Sequence, residues 1–373
     1  MKRVFYLLFL VPVFIFSESL YSPTWGFKLN LPEGYEYVDG DGRNRFSFEG
    51  PGGALFDVVV YDGVYPSMRE LVDDVNRRLG NCGEVDYFRY KDKQAAIIEL
   101  DFGNYDGWSI CVELGSNTQS SAPMLLALAY GPANRSELGL FHLSALDSII
   151  PSDEEQYYPG PIMEYSYPRG ERKQVPLFAN GISAMIYEND AEAAQTLVER
   201  EFIILENYAS SPYWKEAWIR YYRVIYRDSY DRVAEAVSAV TRNWRTGAFN
   251  SADEQRAFAQ RALTFVQGFS YERHTDGSDF VNLVTAITEG RGDCDSRAML
   301  WAIFLSEADI RAAIMISPQY SHAMGLADIS GSGARFDAYE TRWLVAETTA
   351  NIDIGLIAQD QSDPSAWFGI IFE

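Results

Sequence analysis

The chain has 373 residues, 47% of them hydrophobic and 23% charged, enough apolar material for two ordinary domains that each bury a core. A formal net charge of -22 leaves no basic face to displace counterions from phosphate, which sets nucleic-acid binding aside as a function class. Such acidity is that of a solvated surface, compatible with cationic ligands or divalent ions.

At the start, Lys2 and Arg3 precede an unbroken apolar run from Val4 to Phe16, and Ser17, Glu18 and Ser19 follow. This is the order of an export signal over residues 1–19. The apolar run is 13 residues, short of the roughly 20 that span a bilayer as a helix. Cleavage is therefore expected, with an uncleaved anchor as the alternative, and an exported, periplasmic or extracellular bacterial protein follows from it. No later stretch is apolar enough to make the mature chain an integral membrane protein. The three cysteines are Cys82, Cys111 and Cys294. In an oxidising compartment the first two are free to pair and leave Cys294 as the odd thiol, although buried free thiols fit equally well.

Residues 20–151 alternate as an N-terminal α+β domain. Strands are expected over 25–31, 45–48, 54–61, 95–100, 108–114 and 124–130, with helices over 68–79 and 136–150. Ser67 and Glu70 form a capping box, and Leu71, Val72, Val75 and Leu79 share one helical face. His142 falls on an apolar helical stretch, as a packed core histidine does. The opening "WGFKLNLPEGY" and the order of elements resemble PsbP/Mog1-like domains, which carry no catalytic motif here. Residues 152–175 mix prolines, glycines, tyrosines and charges without a period and are expected to be a linker. Residues 176–373 then read as a second domain, with a helix-rich stretch from Asp190 to Gly268 whose aromatics (Trp214, Trp218, Tyr221, Tyr222, Tyr226) sit at helical spacing, as core residues do.

The chemistry concentrates after Phe265. Gly292-Asp293-Cys294-Asp295-Ser296 opens an amphipathic helix, with Asp293 as N-cap and Gly292 allowing a sharp entry. Ala298, Trp301, Ala302 and Leu305 share a buried face, which puts Cys294 in the first turn, where unpaired amides favour the thiolate. A strand "RAAIMIS" follows, then "SHAMG" with His322 heading a second strand, then "TRWLVAETT" carrying Glu347. If these strands pair antiparallel against the helix, Cys294 is placed to attack a carbonyl carbon, His322 to carry the proton, and Glu347 to orient the imidazole. Asp328 or Asp337 would replace Glu347 in a different register. Asp293 and Asp295 either cap the helix or hold a cation. His274 reads as a solvated loop residue.

The pieces "GRGDCDSRAML", "SHAMG" and "RWLVAETT", with "FVQGFSY" upstream, resemble the transglutaminase-like superfamily over about residues 255–350. The resemblance implies a papain-like α+β fold with a helix bearing the cysteine packed on antiparallel strands. It also implies a catalytic Cys294, His322 and Glu347, and an oxyanion hole formed by Gln267 with the Cys294 amide. The sequence departs from the family twice: the acid is Glu where Asp is usual, and Met324 stands where an aromatic is usual. The expected function is a cysteine peptidase or amidase acting through a thioester on a peptide, protein or cell-envelope polymer, without cofactor or metal. An amine-accepting transglutaminase and a non-catalytic binding module on the same fold are the alternatives.

Overall fold

The computed structural model describes residues 20–115, 122–242, 244, 247–273 and 277–372. The segment 1–19, expected as an export signal, and His274 lie outside them. The fold is mixed α and β, with two large antiparallel sheets, three two-stranded ladders and helices packed around them. No helix among the described residues is long and apolar enough to cross a membrane.

The first sheet has seven strands: β1 (Glu36–Gly40), β2 (Arg45–Glu49), β3 (Leu55–Tyr61), β4 (Val85–Tyr90), β5 (Lys93–Asp101), β6 (Tyr105–Glu113) and β7 (Met124–Pro132), ordered β1-β2-β3-β7-β6-β5-β4. The two strands that the sequence pattern does not show, β1 and β4, are its two edges. β1 is exposed at every position, so it has no apolar alternation to read. The strand expected over 25–31 shrinks to Lys28–Leu29, paired with Leu20–Tyr21. Helix α1 (Met68–Arg78) has Ser67 as N-cap and buries Leu71, Val72 and Val75 on one face of the sheet, beside Cys111. All three cysteines are free thiols. Helix α2 (Gly139–Asp147) buries His142, whose imidazole finds no hydrogen-bond partner among the described residues and is driven by burial to titrate at about 4, the neutral core histidine expected.

Residues 152–175, expected as a linker, form a packed connector. Glu155 is fully buried and pairs with Lys93 at 3.2 Å. Helix α3 (Pro161–Ser166) presents the amides of Ile162 and Met163 to Asp147 Oδ1 at 2.9 and 3.2 Å. Asp147 also receives Arg200 at 2.7 Å, and Arg220 bridges Glu33 (3.1 Å) to Glu201 (2.6 Å). These desolvated charges join the first unit to the second, and losing one partner of such a pair costs about 3–5 kcal/mol. One apolar core accordingly runs from Phe27 to Phe372.

The second unit begins with the hairpin β8 (Arg172–Pro176) and β9 (Ser183–Tyr187) and continues through α4 (Asp190–Glu206), α5 (Trp214–Thr241), α6 (Ala252–Gln267), α7 (Leu283–Glu289) and α8 (Cys294–Ser306). Its five-stranded sheet comprises β10 (Ala312–Ser317), β11 (His322–Ala327), β12 (Arg335–Ala338), β13 (Thr341–Ala346) and β14 (Phe368–Ile371), ordered β12-β13-β11-β10-β14. Helix α8 was expected to be amphipathic. It is instead buried at every position from Ser296 to Leu305, because β10 and β11 cover one side while α5, α6 and α7 cover the rest. Gly325 makes the closest approach possible: a Cβ there would stand 2.3 Å from the Trp301 ring. The indole of α8 therefore packs directly against β11 at Gly325, which brings the helix onto the strand.

Candidate active site

Three local rules bring the expected residues together. Asp293 caps α8 by accepting the Ser296 amide at 2.9 Å, which leaves the amides of the first turn, Cys294 among them, without intrahelical partners. A Cβ on Gly292 would lie 2.5 Å from Ser296 Oγ, so glycine is required where the chain turns into the helix. Finally, the antiparallel register pairs Ser317 with His322 and Gly325 with Ala346, which sets His322 at the mouth of β11 and Glu347 just past β13 on the neighbouring strand.

His322 Nε2 and Glu347 Oε2 are 2.8 Å apart, and both side chains are largely buried. Glu347 Oε1 accepts from the Thr349 amide at 2.7 Å and its hydroxyl at 2.6 Å. Burial by itself would raise the Glu347 carboxyl. The bond and charge of His322, together with the Thr349 donors, outweigh it and hold the carboxyl below its ordinary value. The acid is thus ionised and aims the imidazole, whose other nitrogen is left for a proton transfer. Asp328 and Asp337 take no part: they face Arg311 at 3.3 Å and Arg342 at 3.9 Å on exposed surface. Met324 is fully buried, and the aromatic ring meeting the imidazole is Trp367, with centroids 6.2 Å apart.

Cys294 is 6% exposed, and its sulfur is placed to accept the amide of Ala323, the residue next to His322. The thiol itself donates to Asp295 Oδ1 at 3.5 Å, and among the described residues it has no hydrogen bond to the imidazole. The expected preference for thiolate is reversed. Burial raises the thiol first, then the charges of Asp295 and Asp293, and the hydrogen bond from the Ala323 amide does not offset them. Asp295 is itself pushed up to about 6 by burial, against a hydrogen bond from the Tyr222 hydroxyl. Asp293 is raised in the same way, and its Oδ2 is buried without a partner among the described residues. The ligand-capable atoms of Asp293, Cys294 and Asp295 lie within 4.8 Å of one another, with Asp293 committed as the helix cap.

Gln267, expected in the oxyanion hole, has a different task. Its Nε2 donates to the carbonyls of Glu347 and Ile352, both at 2.9 Å. An amide oxygen in that place would repel both carbonyls, so its donors are committed to them. Gln267 ends α6 and ties down the segment after β13, which fixes where Glu347 stands. Tyr271 also faces the thiol, its phenol within hydrogen-bonding reach of Cys294. Its register partner across a short parallel bridge is Gly292, two residues before Cys294. Burial, then the charges of Cys294 and Asp293, raise its phenol to about 12, so it remains a donor at neutral pH. Arg297 sits 5.5 Å over the Tyr271 ring and donates to the carbonyls of Gly292 (3.1 Å) and Phe269 (2.8 Å), which clamps the bridge to α8. The tyrosine ends the "FVQGFSY" segment, four residues past Gln267, so its signal lies in the same motif.

No family model and no curated protein matches the chain. Among solved structures, one from Cytophaga hutchinsonii, provisionally assigned as a cysteine protease, is similar at TM-score 0.23 and 12% identity over 92% of this chain and 79% of the other. A second, from Parabacteroides distasonis and provisionally assigned as a protease, is similar at TM-score 0.21 and 10% identity over 81% and 68%. At such scores neither similarity bears on the chemistry.

Proposed function

We propose that the chain is an exported thiol-dependent acyl-transfer enzyme of transglutaminase-like type, a cysteine peptidase or amidase. The observation that carries this reading is the 2.8 Å His322–Glu347 pair, set beside Cys294 through the Ala323 amide. In the resting state the proton stays on sulfur, shared with Asp295. Rotation of the thiol toward His322 lets the imidazole accept that proton as sulfur attacks the carbonyl carbon, a general-base route rather than a standing thiolate–imidazolium pair. The carbonyl oxygen gains charge against the Cys294 amide and the Tyr271 hydroxyl. The imidazolium then protonates the leaving amine, leaving a thioester. Water, deprotonated by His322, attacks that thioester and restores the thiol. Glu347 holds the ring in one tautomer throughout.

A mixed library of quenched fluorescent peptides tests the reading. Wild type is expected to release fluorescence, and Cys294→Ala and His322→Ala to release none while keeping the native circular dichroism spectrum. A Cys294→Ala protein as active as wild type would overturn it. Adding a fluorescent primary amine separates hydrolysis from amine transfer, because only a transferase links it to an acyl donor. A second reading, a binding module that does not turn its ligand over, is favoured by one observation: the thiol is bonded to a carboxylate and raised by burial.

A further inference from the structure

Between the two units lies a cleft of about 850 Å³. Apolar walls come from both sides, Phe48 from the first sheet and Trp367 from the second unit, and five basic side chains line it against three acidic ones. In a chain of net charge -22 this is a local reversal of sign. Two of the guanidiniums are not neutralised by carboxylates. Arg227 is 9% exposed and is held by the carbonyls of Asp147 and Ile149, both at 2.8 Å, and by the Tyr90 hydroxyl, while its Nε is buried without a partner. Arg335 is held by the carbonyls of Ile329, Gly331 and Arg342. Among the described residues neither makes an ion pair. Arg227, a desolvated cation bonded only to neutral groups, keeps its field, and in a low-dielectric cleft that field favours an anion strongly, while the half-buried Arg335 adds a more screened charge. Lys215, at the rim over the Phe368 ring, adds a mobile charge. Trp367 is shared: it lines the cleft and meets the His322 imidazole.

We infer that the cleft binds an acidic peptide segment, so that the first unit serves as a substrate-recruiting domain for the proposed Cys294 site. Carboxylates would meet Arg227, Arg335 and Lys215, with the chain passing along Trp367 toward the imidazole. This rests on the peptidase reading for its consequence, although binding itself needs no turnover.

The test measures fluorescence anisotropy of fluorescein-labelled hexaglutamate, hexaglutamine and an oligogalacturonate against the Cys294→Ala protein at low salt. Hexaglutamate is expected to bind about tenfold tighter than hexaglutamine, despite the acidic surface. Lys215→Glu is expected to weaken it about tenfold and Arg335→Gln severalfold, and salt to weaken it further. Melting temperatures of both variants verify that they are folded. Equal affinity for the two peptides overturns the inference. So does hexaglutamate binding that Lys215→Glu and Arg335→Gln leave unchanged, or binding of the oligogalacturonate alone. An inactive wild type that binds hexaglutamate this way would sink the peptidase reading and leave the cleft.

Discussion

Asp295 is the residue whose removal most sharply probes the site. Its carboxylate takes the thiol hydrogen bond at 3.5 Å and stands among the groups that raise Cys294. Two unit charges about 4 Å apart repel by about 4 kcal/mol at an effective dielectric near 20, roughly a thousandfold in thiolate population. Asp295→Asn removes that repulsion, so the thiol ionises more readily. The gain in reactivity is smaller, because a less basic thiolate is a poorer nucleophile. With a Brønsted slope of about 0.4–0.5, a gain of about 30- to 60-fold in alkylation rate remains. Iodoacetamide labelling at pH 8, quenched in a time course and mapped by peptide mass spectrometry, reads this at Cys294. Cys82 and Cys111, whose thiols burial raises independently of Asp295, serve as internal controls. At pH 5 wild-type Asp295 is already protonated, given its value of about 6, and the two proteins should converge. Labelling of Cys294 in Asp295→Asn that is unchanged or slower at pH 8 would refute the electrostatic reasoning.

Glu347→Gln is expected to lower kcat by about 10²- to 10⁴-fold, because an amide can neither fix the tautomer nor stabilise the imidazolium; steady-state kinetics on any peptide substrate found will read it. Tyr271→Phe should lower kcat by about 10²- to 10³-fold with little change in KM, the signature of a donor used in the transition state. Asp295 also carries a stability signature. Its carboxyl is raised from 3.8 to about 6, so the native state keeps a proton that the unfolded chain releases, and stability falls as pH rises from about 4 to about 6. That loss amounts to at most about 3 kcal/mol. Thermal melts should show Asp295→Asn more stable than wild type at pH 7.5 and similar to it near pH 4.

Much of the site was legible because its determinants are local. The Gly-Asp-Cys start, the cap and the strand headed by His322 each follow from a few adjacent residues, and the antiparallel register does the rest. What escaped depends on contacts distant in the chain. Gln267 sits in the right segment, but which acceptors its amide finds is decided by where residues 347 and 352 fold back. The helix-end argument for a thiolate gives way first to the burial of Cys294, a matter of tertiary packing, and then to the charges of Asp295 and Asp293. Trp367, whose ring meets the imidazole, arrives from the far end of the chain next to β14. In the first unit the sheet's inner strands were readable from alternation, and the edge strands β1 and β4 were not, since exposure erases that pattern. The connector around Glu155 looked like a tether because its order comes from buried charge pairs, which composition does not reveal.

Covalent trapping tests the central claim most directly. Brief incubation with p-nitrophenyl acetate, an acid quench and peptide mapping should place a hydroxylamine-labile acetyl group on Cys294, formed much more slowly in His322→Ala. An acetyl group found on other residues with Cys294 unmodified, or a Cys294 adduct indifferent to His322, would contradict the account.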